Sequence, residues 1–458
     1  LEGIEEAALG ILEKVGISAP SEVLSELAGR SFRTDGGRVF PARKASRDFI
    51  AEERRRNGNR FRDGVEPVEP GEEPVLVYVA QYPQHVHDLE TDRIVPFARE
   101  KVVEYAKLLD VLYDRGVRSS PPGNPADVPP PLQPIEAYWI AATYSRQGTK
   151  PVDAKYEASV PYVMDMADAL GEPLRHLPVY VFSPLNLGGE SFKCAMKFRD
   201  RIDSVSVNGM PAPGSTAPAN IGDAFALSAA EAIGCAILVR ALLEKQVWWH
   251  IDLFPVDLRS MAMVYGSPEN LLFHFMSAEV NAYFHGTRWW PAAGNIHTNA
   301  KLPGPQACAE KAGIMTAGAL LGERYFGAVG TLSLDEVFSA EQLIYDLEIK
   351  DQVEKLVRGV GIGFDAGRCL ADVSEGVRQK SFASLESTLA AYREIYWHPA
   401  LFDRQFLSAW RERGERTIRE EAKAMIRGLL GRHEYRLDAG RQKAIDSILA
   451  RARAALAR

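Results

Sequence analysis

The chain has 458 residues, 46% hydrophobic and 25% charged, with a formal net charge of −7. This is the composition of an ordinary globular protein with a large core, and the acidic balance argues against nucleic acid as the main partner, because neutralising phosphates needs a basic face. Cys194, Cys235, Cys308 and Cys369 lie far apart with no CxxC pair, which argues against a disulfide framework or a thiolate-rich zinc site and fits a reducing cytoplasm. The length suits about three domains, or equally one barrel with terminal additions.

In chain order, Ile4, Ala7, Ala8, Ile11 and Leu12 stand at helical spacing and predict an amphipathic first helix ended by Gly16. No signal peptide is read before it, although the chain opens on Leu1 and a trimmed terminus fits as well. Asp35-Gly36-Gly37 before Arg38-Val39-Phe40 reads as a hairpin turn feeding a short strand. Residues 54–71 read as a charged surface excursion, 75–79 as a strand and 95–112 as a helix. Residues 121–134 hold seven prolines in fourteen positions and are expected to be extended, crossing inside the fold. Strands are then predicted at 150–154, 177–183, 204–210, 247–254, 287–291 and 325–329, with helices between, at spacings of roughly 25 to 45 residues that suit βα units. The apolar stretch 224–243 carries Glu231 and Arg240 and reads as a buried helix, not a membrane span. From Ser339 onward the pattern is helical, and Ile445, Ile448, Leu449, Ala452 and Leu456 form one stripe. The expected fold is α/β: a TIM-type (β/α)8 barrel with its core over 116–345. A helical and hairpin extension over 1–115 packs on it, and a helical C-terminal region over 346–458 completes a single domain.

Four loops at predicted strand ends hold residues suited to chemistry. In 208–218, which opens on the candidate Asn208, Gly209 and Gly214 let backbone approach a ligand, and Ser215 or Thr216 can cap the next helix, whose N-terminus favours negative charge. The same segment also reads as a tight strand-to-helix connection with Pro218 in the first helical turn. Alternation along 248–254 puts Trp248, His250, Asp252 and Phe254 on one side and Trp249, Ile251 and Leu253 on the other. A His and an Asp sharing a face with two aromatics suit a barrel interior near its mouth, or core packing with one hydrogen bond each. Asp257 and Arg259 follow as loop residues or as an ion pair that holds the loop. Arg288-Trp289-Trp290 leads through Asn295 to His297, Asn299 and Lys301. Aromatic faces attract a quaternary ammonium, so Trp289 and Trp290 are candidate cage walls, and equally candidates for packing. His297 lies just past a strand end, where a barrel places chemistry. With no second His or Cys at ligand spacing, no metal is expected there. Beyond Gly330, Ser339 and Gln342 match a capping box that encloses Glu341.

Several motifs resemble the trimethylamine methyltransferase family, whose members pass a methyl group from a methylated amine to a corrinoid protein. They are Glu6 to Ile17, Asp88-Leu89-Glu90-Thr91, Asp257-Leu258-Arg259, Tyr265-Gly266-Ser267-Pro268-Glu269, Ala300-Lys301-Leu302-Pro303 with Gln306, Ser339-Ala340-Glu341-Gln342 with Asp346, and Pro399 to Arg404 with Trp410. The resemblance implies a barrel, a separate corrinoid-binding partner protein that brings the cobalt, and attack by Co(I) on an N-methyl carbon. No cofactor held tightly by this chain, no membrane and possible homo-oligomers are expected with it. Within that reading His297, Asp252 and Glu341 are the catalytic candidates. Asn208, His250, Phe254, Trp289, Trp290 and Asn295 are the substrate-binding ones, and Gly209, Gly214, Asp257, Arg259, Lys301 and Gly330 face the corrinoid. No pyrrolysine is written in the sequence; Asn299 stands where the family's lysine loop often carries an acidic or small residue, and Gly304 where it often carries an acidic one. These departures suggest the non-pyrrolysine branch, similar to glycine betaine methyltransferases, acting on a quaternary or tertiary methylamine. A C1-transfer barrel with a small-molecule acceptor and a non-catalytic barrel that binds betaine-like ligands are the alternatives.

Overall fold

The structure is a computed structural model that describes residues 1–30, 32–60, 74–147, 156–287, 290 and 294–456. Its centre is two arcs of parallel strands. In one, Gln246–Trp249 pairs with Ser204–Asn208, which pairs with His176–Phe182. In the other, Leu76–Val77 lies between Tyr325–Phe326 and a bridge to Val117, and Gly327 bridges on to Asn295. No closed barrel is formed among the described residues, so the observed class is α/β with parallel arcs. The expected strand at 150–154 and most of the one at 287–291 lie outside the described residues.

The first arc owes its one-sidedness to valine at alternate positions. Leu177, Val179, Val181, Val205, Val207, Val247 and Trp249 are all buried, whereas the opposite face carries His176, Ser204, Ser206, Asn208 and Trp248, which are more open. Asn186–Leu187 continues this sheet to Ile17–Ser18 and to the hairpin Arg38–Phe40 and Arg33–Asp35, where the sequence places a turn at Gly36-Gly37. Behind the arc runs Ile221–Leu243, N-capped by Asn220, whose side chain accepts from the Asp223 N–H at 3.2 Å. By length and composition it is the one helix among the described residues apolar enough to cross a membrane. Here it is a core element, with most of its residues buried.

The first helix, Glu2–Lys14, crosses Ile221–Leu243 at Gly234, where an added Cβ would stand 2.5 Å from Leu12 Cδ2. Gly234→Val is therefore expected to lower stability by about 1–3 kcal/mol through overpacking, read as a shift of the urea midpoint. A neutral substitution would mean that the two helices separate without cost.

A second core joins Phe97, Tyr105, Phe326, Phe338, Leu343 and Leu347, under Ala340–Arg358. A third sets Ile445, Ile448, Leu449 and Ala452 of Ala439–Leu456 against Ile135, Tyr138 and Met166, as the apolar stripe requires. Two expectations change. The proline-rich run is not extended throughout: it ends in a 3-10 turn, Pro130–Leu132, and Pro134 occupies the first turn of Gln133–Tyr144. A first-turn proline gives up no helical hydrogen bond, so the ring is tolerated there. The start of the expected excursion is also helical, as part of Arg43–Arg60, with 61–73 outside the described residues. Elements from the three expected regions also meet one another. Leu76–Val77 pairs with Tyr325–Phe326, and Ala340–Arg358 runs unbroken past 346.

Candidate active site

The strand Gln246–Trp249 ends early, but its alternation persists to Phe254. Trp249, Ile251 and Leu253 are buried, whereas His250, Asp252 and Phe254 lie on the more open face with Trp248. Asn281 of the helix Pro268–His285 takes the place of a neighbouring strand: its Oδ1 accepts from Ile251 N at 2.8 Å and its Nδ2 donates to Ile251 O at 2.7 Å. Ser228 Oγ donates to Asp252 O at 2.8 Å. The backbone on both sides of Asp252 is thus fixed by side chains, which holds the carboxylate in place.

His250 Nε2 lies 3.0 Å from Asp252 Oδ2. Burial works against the His250 charge, but the Asp252 carboxylate outweighs it and raises the imidazole above its ordinary value. Asp252 is held below the usual carboxylate range. Burial opposes this, and the His250 charge and hydrogen bond, with His274 and Ser277 beside them, prevail. His274 and Ser277 stand three apart on Pro268–His285 and so share one face of that helix. Burial lowers the His274 imidazole.

The other side of the site comes from the second arc. Tyr265 packs its ring 4.9 Å from the His297 ring and 5.8 Å from that of Phe254. Burial raises the Tyr265 phenol, and the charges of Asp335, Tyr82 and Asp252 add to this. Groups from the ends of both arcs therefore meet around one phenol. Burial, with the nearby Lys311 ammonium and His274, depresses His297 to about 3. His297 is thus neutral at physiological pH, a hydrogen-bonding group rather than a proton carrier. His297 Nδ1 and His274 Nε2 are buried without a hydrogen-bond partner, free to meet a ligand. Among the described residues no three His, Cys, Asp or Glu side chains gather as a metal-holding group.

The loops are latched by Glu310. Its carboxylate accepts from the Thr298 hydroxyl and, at 3.2 Å, from Asn299 N, and it lies so close to Gly266 that an added Cβ would stand 2.0 Å from Oε2. A side chain at 266 would have to push the Glu310 carboxylate away from Thr298 and Asn299. Beneath lies a fully buried ion pair: Lys311 Nζ donates to Asp346 Oδ2 and to Ala328 O, both at 2.8 Å. Asp346 also accepts from Gly330 N at 2.7 Å and from Gln342 Nε2 at 2.8 Å.

The structure brings His250, Asp252, Phe254 and His297 together and disperses the other candidates. Asn208 points its amide at Ser206 Oγ, 3.0 Å away, and Gly209 backs onto the Glu231 carboxylate. Gly214 is exposed under Leu258. Asp257 and Arg259 pair with each other at 3.1 Å across the turn between Val256–Asp257 and Ala262–Met263, so the ion-pair alternative holds. Lys301 Nζ donates to Ser333 Oγ at 2.8 Å, and Asn295 is exposed beside Gly327. Trp289 lies outside the described residues. Three expectations need correction. Trp290 stacks on His285 at 4.4 Å, and the His285 ring packs at a tilt against Trp249 at 4.2 Å, which joins Trp290 to a packed aromatic column. Gly330 is buried, with its N–H committed to Asp346, and does not face outward. Glu341 bonds Tyr345 Oη at 2.9 Å and Arg419 Nε at 3.1 Å, a structural network apart from His250 and Asp252. The capping box is also half made: Ser339 accepts from Gln342 N at 3.2 Å, but the Gln342 amide turns to Asp346.

Tyr265, His274, Ser277 and Asp335 went unread as site residues. Tyr265 stood only in a loop motif. A polar pair at helical spacing inside the apolar run of Pro268–His285 was the available signal for His274 and Ser277.

Parallel strands that present a His–Asp pair, aromatic rings and acidic groups from their ends define an α/β protein with a candidate site at its strand ends. The trimethylamine methyltransferase (MTTB) family matches residues 1–457, and the chain belongs to that family. It is similar to the trimethylamine methyltransferase MttB of Methanosarcina barkeri (strain Fusaro), 25% identical over 276 residues, covering 60% of this chain and 54% of that protein. It is also similar to the glycine betaine methyltransferase of Desulfitobacterium hafniense (strain Y51), 22% identical over 426 residues, covering 90% of this chain and 87% of that protein. The chain thus spans about half the length of the MttB relatives it matches. The crystal structure of the Methanosarcina barkeri monomethylamine methyltransferase MtmB aligns over 99% of this chain and 86% of that one, with 13% identity and a TM-score of 0.44.

Proposed function

We propose that the protein is a methyltransferase that moves an N-methyl group from a betaine-like methylamine to the Co(I) corrinoid of a partner protein. The observation that supports this most is a charged pair beside aromatic rings, Asp252 and His250 next to Phe254 and Tyr265, in a chain of this family. Such a set complements a zwitterion. Ring faces and the Asp252 carboxylate suit a quaternary ammonium, and the His250 imidazole, whose charged form Asp252 favours against burial, offers N–H donors to a carboxylate. In the transfer the C–N bond breaks, its electron pair leaves with the amine, and the methyl carbon bonds to cobalt. A tertiary amine departs neutral, so no proton donor is needed, in keeping with a neutral His297. What this chain contributes is orientation and desolvation. Gly214, Arg259 and Lys301 are each exposed in loops past strand ends and are the candidates for contact with the corrinoid protein, and the two arcs belong in this reading to one (β/α)8 barrel within a single domain. Four cysteines outside any disulfide suit the reducing, cytoplasmic setting that Co(I) requires.

Tyr265→Leu is expected to weaken glycine betaine binding, measured calorimetrically, by about 1–2 kcal/mol. Trp290→Leu is expected to leave affinity unchanged and lower stability instead. Betaine bound equally well by the Tyr265 variant would remove the aromatic wall, and no binding of any methylated amine would remove the whole reading. Methylation of free cobalamin in preference to a corrinoid protein would favour the small-molecule acceptor.

A further inference from the structure

We propose that residues 360–416 form the interface through which two copies of this chain associate. The helix Ala340–Arg358 ends at Gly359, and the chain returns to the body where Leu401 and Phe402 donate to Glu348 Oε1 at 2.9 and 3.1 Å. Around that anchor, Ala366–Gln379 buries only Gly376, and Glu386–Ile395 and Leu407–Glu412 bury no residue. Yet the segment is rich in large apolar side chains. Ile362 is 96% exposed, Phe406 87% and Phe364 79%. Leu370, Val373 and Val377 form an exposed stripe at i, i+3 and i+7 on Ala366–Gln379, the pattern of a helix face built to be covered.

A stripe of this size marks an interaction site, and two arguments name its occupant. With large side chains presenting roughly 150–200 Å² each, the exposed apolar residues of the segment offer on the order of 1,000 Å², comparable to the ~800 Å² per partner of a standard interface. The charges of residues 360–416 also balance, with eight Lys or Arg and eight Asp or Glu, in a chain of net charge −7. A partner selected by opposite charge would call for one sign. A neutral, mixed-sign apolar face is where two like-charged copies can meet, with each stripe lying on its counterpart about a two-fold axis.

The test is sedimentation velocity of the full chain over a wide concentration range, with Leu370→Glu/Val377→Glu as the variant. The wild type is expected to sediment at twice its 50.6 kDa mass and the variant at half the wild-type value, with the same thermal midpoint in its monomeric form. Should the variant misfold, hydrogen exchange of the wild type decides: amides of Ala366–Gln379 are expected to gain protection as concentration rises. A wild type that stays monomeric, a dimer indifferent to both substitutions, or an arm protected only by added corrinoid protein or phospholipid vesicles would each overturn the proposal.

Discussion

Asp346→Ala is expected to lower the unfolding free energy by about 3–5 kcal/mol, the cost of leaving one member of a buried ion pair uncompensated. Lys311 and Asp346 are both fully shielded from solvent, and once the carboxylate is gone the ammonium retains only Ala328 O. Gly330 N and the Gln342 amide would lose their acceptor as well. The double variant Lys311→Met/Asp346→Leu removes both charges and is expected to recover most of the loss, because an apolar pair of similar volume needs no desolvation. Urea midpoints of the three proteins measure this, and a single variant within about 1 kcal/mol of wild type would mean that water reaches Lys311. The pair also touches the site. With the ammonium removed, the His297 imidazole, now held at about 3, is expected to titrate higher in a histidine NMR titration of the double variant.

Asp252→Asn is expected to reduce kcat/KM for a betaine by about 2–3 kcal/mol, roughly thirtyfold or more, through loss of charge-assisted hydrogen bonding. It should also reset His250. In the native protein Asp252 raises that imidazole against burial. Asparagine leaves burial alone, so the His250 pKa is expected to fall below the ordinary value near 6.5. The pH dependence has two sides. The raised His250 contributes stability that is full below about pH 6.5 and fades as pH rises through its folded value. The lowered Asp252 contributes stability present above about pH 3.9 and lost as pH falls through its folded value. A variant in which His250 still titrates above 6.5 would show that another carboxylate carries the role.

The sequence was most readable where periodicity is strict. Val205 and Val207, Trp249 and Ile251, and the stripe from Ile445 to Ala452 all turn the face that alternation or helical spacing assigns. The His250–Asp252 pair was legible for the same reason, because a period of two places both on one side even past the end of the hydrogen-bonded strand. Residues joined only through long-range packing were not legible. Trp290 reads as a cage wall until the column that joins it through His285 to Trp249, one strand earlier, is seen. Glu341 reads as a catalytic candidate until Arg419, far along the chain, takes its carboxylate. Tyr265 acquires its place only because Asp335 and Tyr82, distant in sequence on either side, converge on the same phenol. Spacing encodes which face a residue turns, and it does not encode which distant element comes to meet it.

The most direct test mixes the purified chain with a corrinoid-binding protein reduced to Co(I) and with glycine betaine, and follows conversion of the Co(I) absorbance to that of methyl-cobalt. Conversion is expected to depend on the chain, to yield dimethylglycine in equal amount, and to fall roughly thirtyfold or more in Asp252→Asn. Bound betaine with no conversion across a panel of corrinoid proteins and methylated amines would contradict it.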